Sequence, residues 1–166
     1  MRILLIITCL ANIAFALGSL SWLPNPMAVH FSHDGTPDGF ASPLGNAVLM
    51  SLLVGGMGIV FFGLSWFMPI LPNSCFNLPN RDYWFNEENR PKTIRRFSAF
   101  LESIGAATMF FFLVLQWEVF QANQTVPPKR LNLDMMFGGS IVLIAFILFE
   151  SVRLYLAFRL AKRPSS

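Results

Sequence analysis

Two imidazoles and two carboxylates lie close together at His30, His33, Asp34 and Asp38, in a segment that carries most of the chain's unusual chemistry. Imidazole nitrogen and carboxylate oxygen are donors suited to zinc or a similar metal, so His30 and His33 with either Asp form a candidate metal or ligand site. The spacing permits such a site without demanding it, because no helix is expected there to orient the rings. A plainer chemistry fits the same residues. Asp34-Gly35 offers a turn whose glycine is free to adopt positive φ, and Pro37-Asp38-Gly39 presets one turn angle, supplies an Asx bond and relieves strain at glycine. On that reading Asp34 and Asp38 close turns while one His donates to a backbone carbonyl. A third reading makes the segment a site for a peptide or other extracytoplasmic molecule. In each case Met27, Val29, Phe31 and Phe40 are the apolar residues that would hold a compact loop against the helix ends.

The elements that must position this loop are four apolar runs, Ile3 to Trp22, Gly45 to Phe67, Ala99 to Trp117 and Met135 to Tyr155. Each approaches the roughly 20 residues with which a helix crosses about 30 Å of hydrocarbon. Lipid offers the backbone no hydrogen-bond partners, and no strand-type alternation supports a barrel, so the expected fold is an all-α integral membrane protein. It has four transmembrane helices in a single domain over residues 1–166. Composition agrees: 54% of residues are hydrophobic, 13% are charged, and Phe supplies 18 of 166. The net charge of +3 is a topological signal and not a nucleic-acid footprint. Arg2, Arg81, Arg90, Lys92, Arg95, Arg96, Arg159, Lys162 and Arg163 fall on one side, while the other loops hold Lys129 and Arg130. Both termini are therefore expected in the cytoplasm, with the His/Asp loop outside. Arg2 and Ala14-Phe15-Ala16 resemble a secretory signal, but the apolar character runs on to Trp22, which favours an uncleaved span. Cys9 and Cys75 are expected as free thiols.

The long cytoplasmic connection is interrupted by Pro69, Pro72, Pro79 and Pro91. Its Arg81, Asp82, Tyr83 and Trp84 read either as a docking surface for a cytoplasmic partner or as an interfacial belt that sets depth. Asn86 or Asn89 is placed to cap a helix starting before the third span. Ionisable residues inside spans cost roughly 2.5 to 3.5 kcal/mol each on insertion scales, so Glu102, Glu150 and Arg153 are expected to form an intramembrane cluster. Such a cluster serves as a structural staple or, alternatively, as a proton or ion path. Ser51, Gly55 and Gly58 mark a close-packing face on the second span. Asn123-Gln124-Thr125 fits a glycosylation acceptor but lies too near the membrane to serve as one.

The run from Leu23 to Ser42, with Leu-Pro before His30-Phe31-Ser32 and then Gly35-Thr36-Pro37-Asp38-Gly39-Phe40, resembles the signature of a bacterial membrane-protein family of largely unknown function. That family is grouped with the SdpI-type proteins, which provide immunity and signalling for the sporulation-delaying toxin. A second stretch, Asn77-Leu78-Pro79-Asn80-Arg81-Asp82-Tyr83-Trp84 followed by Glu88 to Thr93, is similar to a cytoplasmic motif of some members. The resemblance implies a multi-pass protein of the bacterial cytoplasmic membrane whose relatives protect against a secreted peptide toxin and relay its presence. The SdpI-type proteins carry further spans and another motif that this sequence lacks. The leading expectation is thus a non-enzymatic sensor, immunity or accessory protein. The alternatives are a metal-dependent membrane enzyme using His30, His33 and Asp38, a transporter using Glu102 and Glu150, and a small subunit of a larger complex.

Overall fold

The computed structural model describes residues 1–159; Lys162 and Arg163, counted above among the basic residues, lie outside the described residues. Helix α1 covers Arg2–Gly18, α2 Pro43–Phe67, α3 Arg81–Trp84, α4 Arg90–Ala122 and α5 Leu133–Arg159. Strands β1, Met27–Phe31, and β2, Pro37–Ala41, pair antiparallel between α1 and α2. Among the described residues three helices are long and apolar enough to cross a membrane: α2 with the turn that extends it to Ile70, α4 and α5. The chain is a polytopic membrane protein. Helix α1 is apolar but shorter. At about 1.5 Å per residue its 17 residues reach about 26 Å, and the run expected to continue through Trp22 gives way after Gly18 to a 3₁₀ turn over Leu20–Trp22. Glycine and serine at positions 18 and 19 are weak helix formers, which explains the early end.

Local chemistry sets the other boundaries. Ser42 caps α2 by accepting from the Gly45 amide at 3.0 Å, and Pro43 occupies the first turn, where its missing N–H costs nothing. Asn132 accepts from the Met135 amide and starts α5. Helix α4 begins before the apolar run, as expected, but Asn89 does not cap it with its side chain. Instead Asn86 accepts from the Asn89 amide, and the Asn89 amide group donates to the Tyr83 carbonyl. With 33 residues α4 spans about 50 Å, so it extends well beyond about 30 Å of hydrocarbon.

Helices α1, α2 and α4 pack mutually, and α5 lies principally against α4. The chain runs back and forth, which places the hairpin at one end and Arg2, Glu102, Trp84 and Phe158 at the other. Between the ends Leu5, Val54, Ala106 and Met109 form a closed apolar core. Lipid is as apolar as this core, so close packing and a few interhelical hydrogen bonds hold it, more than water exclusion does. One such bond links Gln116 of α4 to Asn12 of α1 at 2.7 Å, and Asn12 also donates to the Met109 carbonyl at 2.8 Å. Bonds of this kind contribute about 0.6 to 1.7 kcal/mol in membranes, a supplement to packing.

Candidate functional site

At the hairpin end the turn is a knot of short polar bonds. The Ser32 amide donates to the Thr36 carbonyl, and the Gly35 amide donates to the Ser32 carbonyl. Asp34 accepts from the Ser32 hydroxyl, the Thr36 amide and the Thr36 hydroxyl. The Ser32 hydroxyl above all, then the two Thr36 donors, hold the Asp34 carboxyl well below the usual carboxylate range, and Arg130 adds a weaker attraction at 3.5 Å. Gly35 has φ +81°, and a Cβ there would lie 2.8 Å from the Leu131 carbonyl, so the position requires glycine.

The strands were not expected in an all-α chain, and their irregularity shows why. Register shifts flank His30: Ala28 pairs with Phe40, His30 with Gly39 and Phe31 with Pro37. Val29 is an extra residue on one strand and Asp38 on the other, so bulges replace the alternation that would signal a strand. Their effect is to bring His30 and Asp38 to one face, where His30 Nδ1 donates to the Asp38 carboxylate. Gly39 makes room for this, because a Cβ on it would fall 2.8 Å from the Cβ of His30. The carboxylate fixes Nδ1 as the protonated ring nitrogen and leaves Nε2 facing outward.

The four chemistry-bearing residues therefore divide. His30 and Asp38 form a pair, Asp34 is consumed by the turn, and His33 is exposed with no hydrogen-bond partner among the described residues. The metal reading needed His30, His33 and an Asp together; among the described residues no three His, Cys, Asp or Glu side chains are grouped so that they could hold an ion. The bulged hairpin separates donors that sit close together in the sequence.

Beneath the hairpin lies a cavity of about 180 Å³, with His30 and Phe31 at its hairpin side and Phe15, Asn46, Gln116 and Phe120 among its walls. Its roof is anchored by Asn123, which ends α4 and is 1% exposed. The Ala28 amide donates to Asn123 Oδ1 at 2.7 Å, and Asn123 Nδ2 donates to the Ala28 carbonyl at 2.9 Å, so one side chain does for β1 what a third strand would do. The Leu131 amide also donates to the Gly35 carbonyl at 2.9 Å, tying the α4–α5 connection to the turn. Asn123, Asn12 and Gln116 were not anticipated as a group. The signal available was an uncharged amide inside or beside each apolar run.

At the opposite end the expected cluster of Glu102, Glu150 and Arg153 is two separate pairs. Glu102 is 6% exposed and accepts from Arg2 Nε at 2.9 Å and the Ser65 hydroxyl at 2.7 Å. Glu150, equally buried, accepts from Arg153 one turn further along α5. Glu102 faces α1 and α2 while Glu150 lies on α5 beside Arg96, so α4 stands between them. Nor does the Arg81–Trp84 motif present its Trp as a docking or interfacial residue. Trp84 is 8% exposed, donates from Nε1 to the Phe158 carbonyl at 3.0 Å and packs among Phe76, Phe85, Ile94 and Phe158. Arg96 covers it at 5.6 Å from the ring. Arg81, Asp82 and Tyr83 remain exposed.

Residues 3–55 match a family described as a domain of unknown function (DUF1648). The match covers about a third of the chain, namely α1, the hairpin and the first half of α2, and so includes the Leu23 to Ser42 run but not the Arg81–Trp84 stretch. No curated protein and no solved structure matches the chain.

Proposed function

We propose that this is a non-enzymatic sensor, immunity or accessory protein of the SdpI-like kind, in which the hairpin receives part of an extracytoplasmic peptide. The cavity beneath the hairpin carries this reading. About 180 Å³ is well below the roughly 300 to 1,000 Å³ of sites that enclose a whole small molecule, and corresponds to one bulky side chain. Phe15, Met27 and Phe120 suit an apolar group, and His30, held by Asp38 with Nε2 outward, supplies a polar contact at the rim. In this reading the shorter α1 as well as α2, α4 and α5 spans the bacterial cytoplasmic membrane. The basic end is cytoplasmic by the positive-inside rule, and the hairpin is outside.

Growth of cells with and without the protein, under challenge by a panel of membrane-active peptides, tests the proposal. Protection by the native chain that is lost in His30→Ala/Asp38→Asn, at equal protein levels in the membrane, is the expected result. Equal sensitivity of all three strains across the panel overturns it.

A further inference from the structure

At the basic end, where α1, α2 and α4 meet, lies a second recess, unrelated to the hairpin. It is an open space of about 710 Å³ whose walls include Arg2, Arg95, Trp66, Ile94 and Ser98. Trp66 is shared with a groove of about 770 Å³ that runs between α1 and α2 into the apolar zone, past Ile6, Cys9, Ile59, Phe62 and Gly63. The two spaces adjoin at Trp66, the recess bounded by Arg2 and Arg95 and the groove apolar along its length. Arg2 sits at the junction. Its guanidinium lies 5.4 Å from the centre of the Phe62 ring, its Nε is committed to Glu102, and its side chain is still 45% exposed. Arg95 is exposed and has no hydrogen-bond or ion-pair partner among the described residues. Glycines open the groove: a Cβ at Gly55 or Gly63 would meet nothing within 4 Å.

We propose that the recess and the groove together seat one anionic phospholipid, with the phosphate on Arg2 and Arg95 and an acyl chain in the groove between α1 and α2. The charges match. Glu102 offsets one of the two guanidinium groups, and the other remains for a single phosphodiester, to which Arg presents paired donors. A zwitterionic headgroup would bring its own cation up to Arg95, which disfavours it. The apolar length of the groove requires a chain as well as a phosphate, which separates a lipid from free phosphate. This inference does not depend on the hairpin's role.

Native mass spectrometry of the full chain released from detergent, with equal amounts of phosphatidylglycerol and phosphatidylcholine of the same acyl composition, reads the occupancy directly. One phosphatidylglycerol should be retained in preference to phosphatidylcholine. Arg95→Gln, an exposed change that leaves the fold intact, should lower that occupancy about fivefold, the effect of one basic residue at an anionic headgroup. Gly63→Leu should fill the groove and abolish retention, with Gly55→Leu as a second blocking variant should the first fail to fold. Equal retention of the two lipids, wild-type occupancy in Arg95→Gln and a folded groove variant, or displacement by millimolar inorganic phosphate would each overturn the proposal. So would a dimer cross-linked through Cys9, which would place a second copy in the groove.

Discussion

Asn123 shows how much one side chain can decide. Its carboxamide satisfies both backbone groups of Ala28, which is completely buried, and so joins the end of α4 to the first strand. Removing it leaves a donor and an acceptor without partners in a dry place. Asn123→Ala should therefore destabilise the protein by about 2 to 3 kcal/mol, read as a shift in the unfolding midpoint in detergent. Asn123→Asp, which would bury a carboxylate oxygen against the Ala28 carbonyl, should cost at least as much. A midpoint for Asn123→Ala equal to the native one would show that the hairpin does not depend on this bond. The residue stood in plain view in the sequence as part of Asn123-Gln124-Thr125, yet nothing local reveals that its partner is 95 positions away. The same holds for Arg2, whose charge suggested topology and whose pairing with Glu102 depends on how α1 and α4 pack.

At the scale of elements, the long helices were legible because apolar length is a property of the chain itself. The runs near 45–67, 99–117 and 135–155 each lie within a helix of the structure. The hairpin was not legible as strands, since two bulges remove its alternation and β2 contains both Pro37 and Gly39. Its compactness was foreseen from the turn residues alone. Packing between helices is set at points that composition only hints at. Gly105 of α4 is the tightest: a Cβ there would lie 2.8 Å from Phe61 and 3.0 Å from Leu5, so α1, α2 and α4 meet over it. Gly105→Val should cost about 1 to 3 kcal/mol by overpacking and separate α1 from α4. Gly138→Val, on an open face of α5, should leave the unfolding midpoint near its native value. If the two variants behave alike, the three-helix junction is not the centre of stability.

For the whole molecule, the placement of the two ends follows from the alternation of helices, while orientation in the membrane rests on charge. Cys75 offers a natural reporter, being exposed and free at the basic end, whereas Cys9 is half-buried beside Val54. A membrane-impermeant maleimide should label Cys75 in inverted vesicles and leave it unmodified in right-side-out vesicles. The reverse pattern would place the hairpin in the cytoplasm and remove the basis for extracytoplasmic recognition.

Helix α4 holds the hairpin through Asn123 and, thirty residues earlier, holds the Trp84 cluster through the Thr93 hydroxyl, which donates to the Trp84 carbonyl at 3.0 Å. Those attachments are about 45 Å apart on one unbroken rod. A rod has no slack: tilting it by about 5° around one attachment carries the other through about 4 Å, more than the length of a hydrogen bond. Whatever reorients one end of this lever against the other helices must strain the bonds that grip its far end.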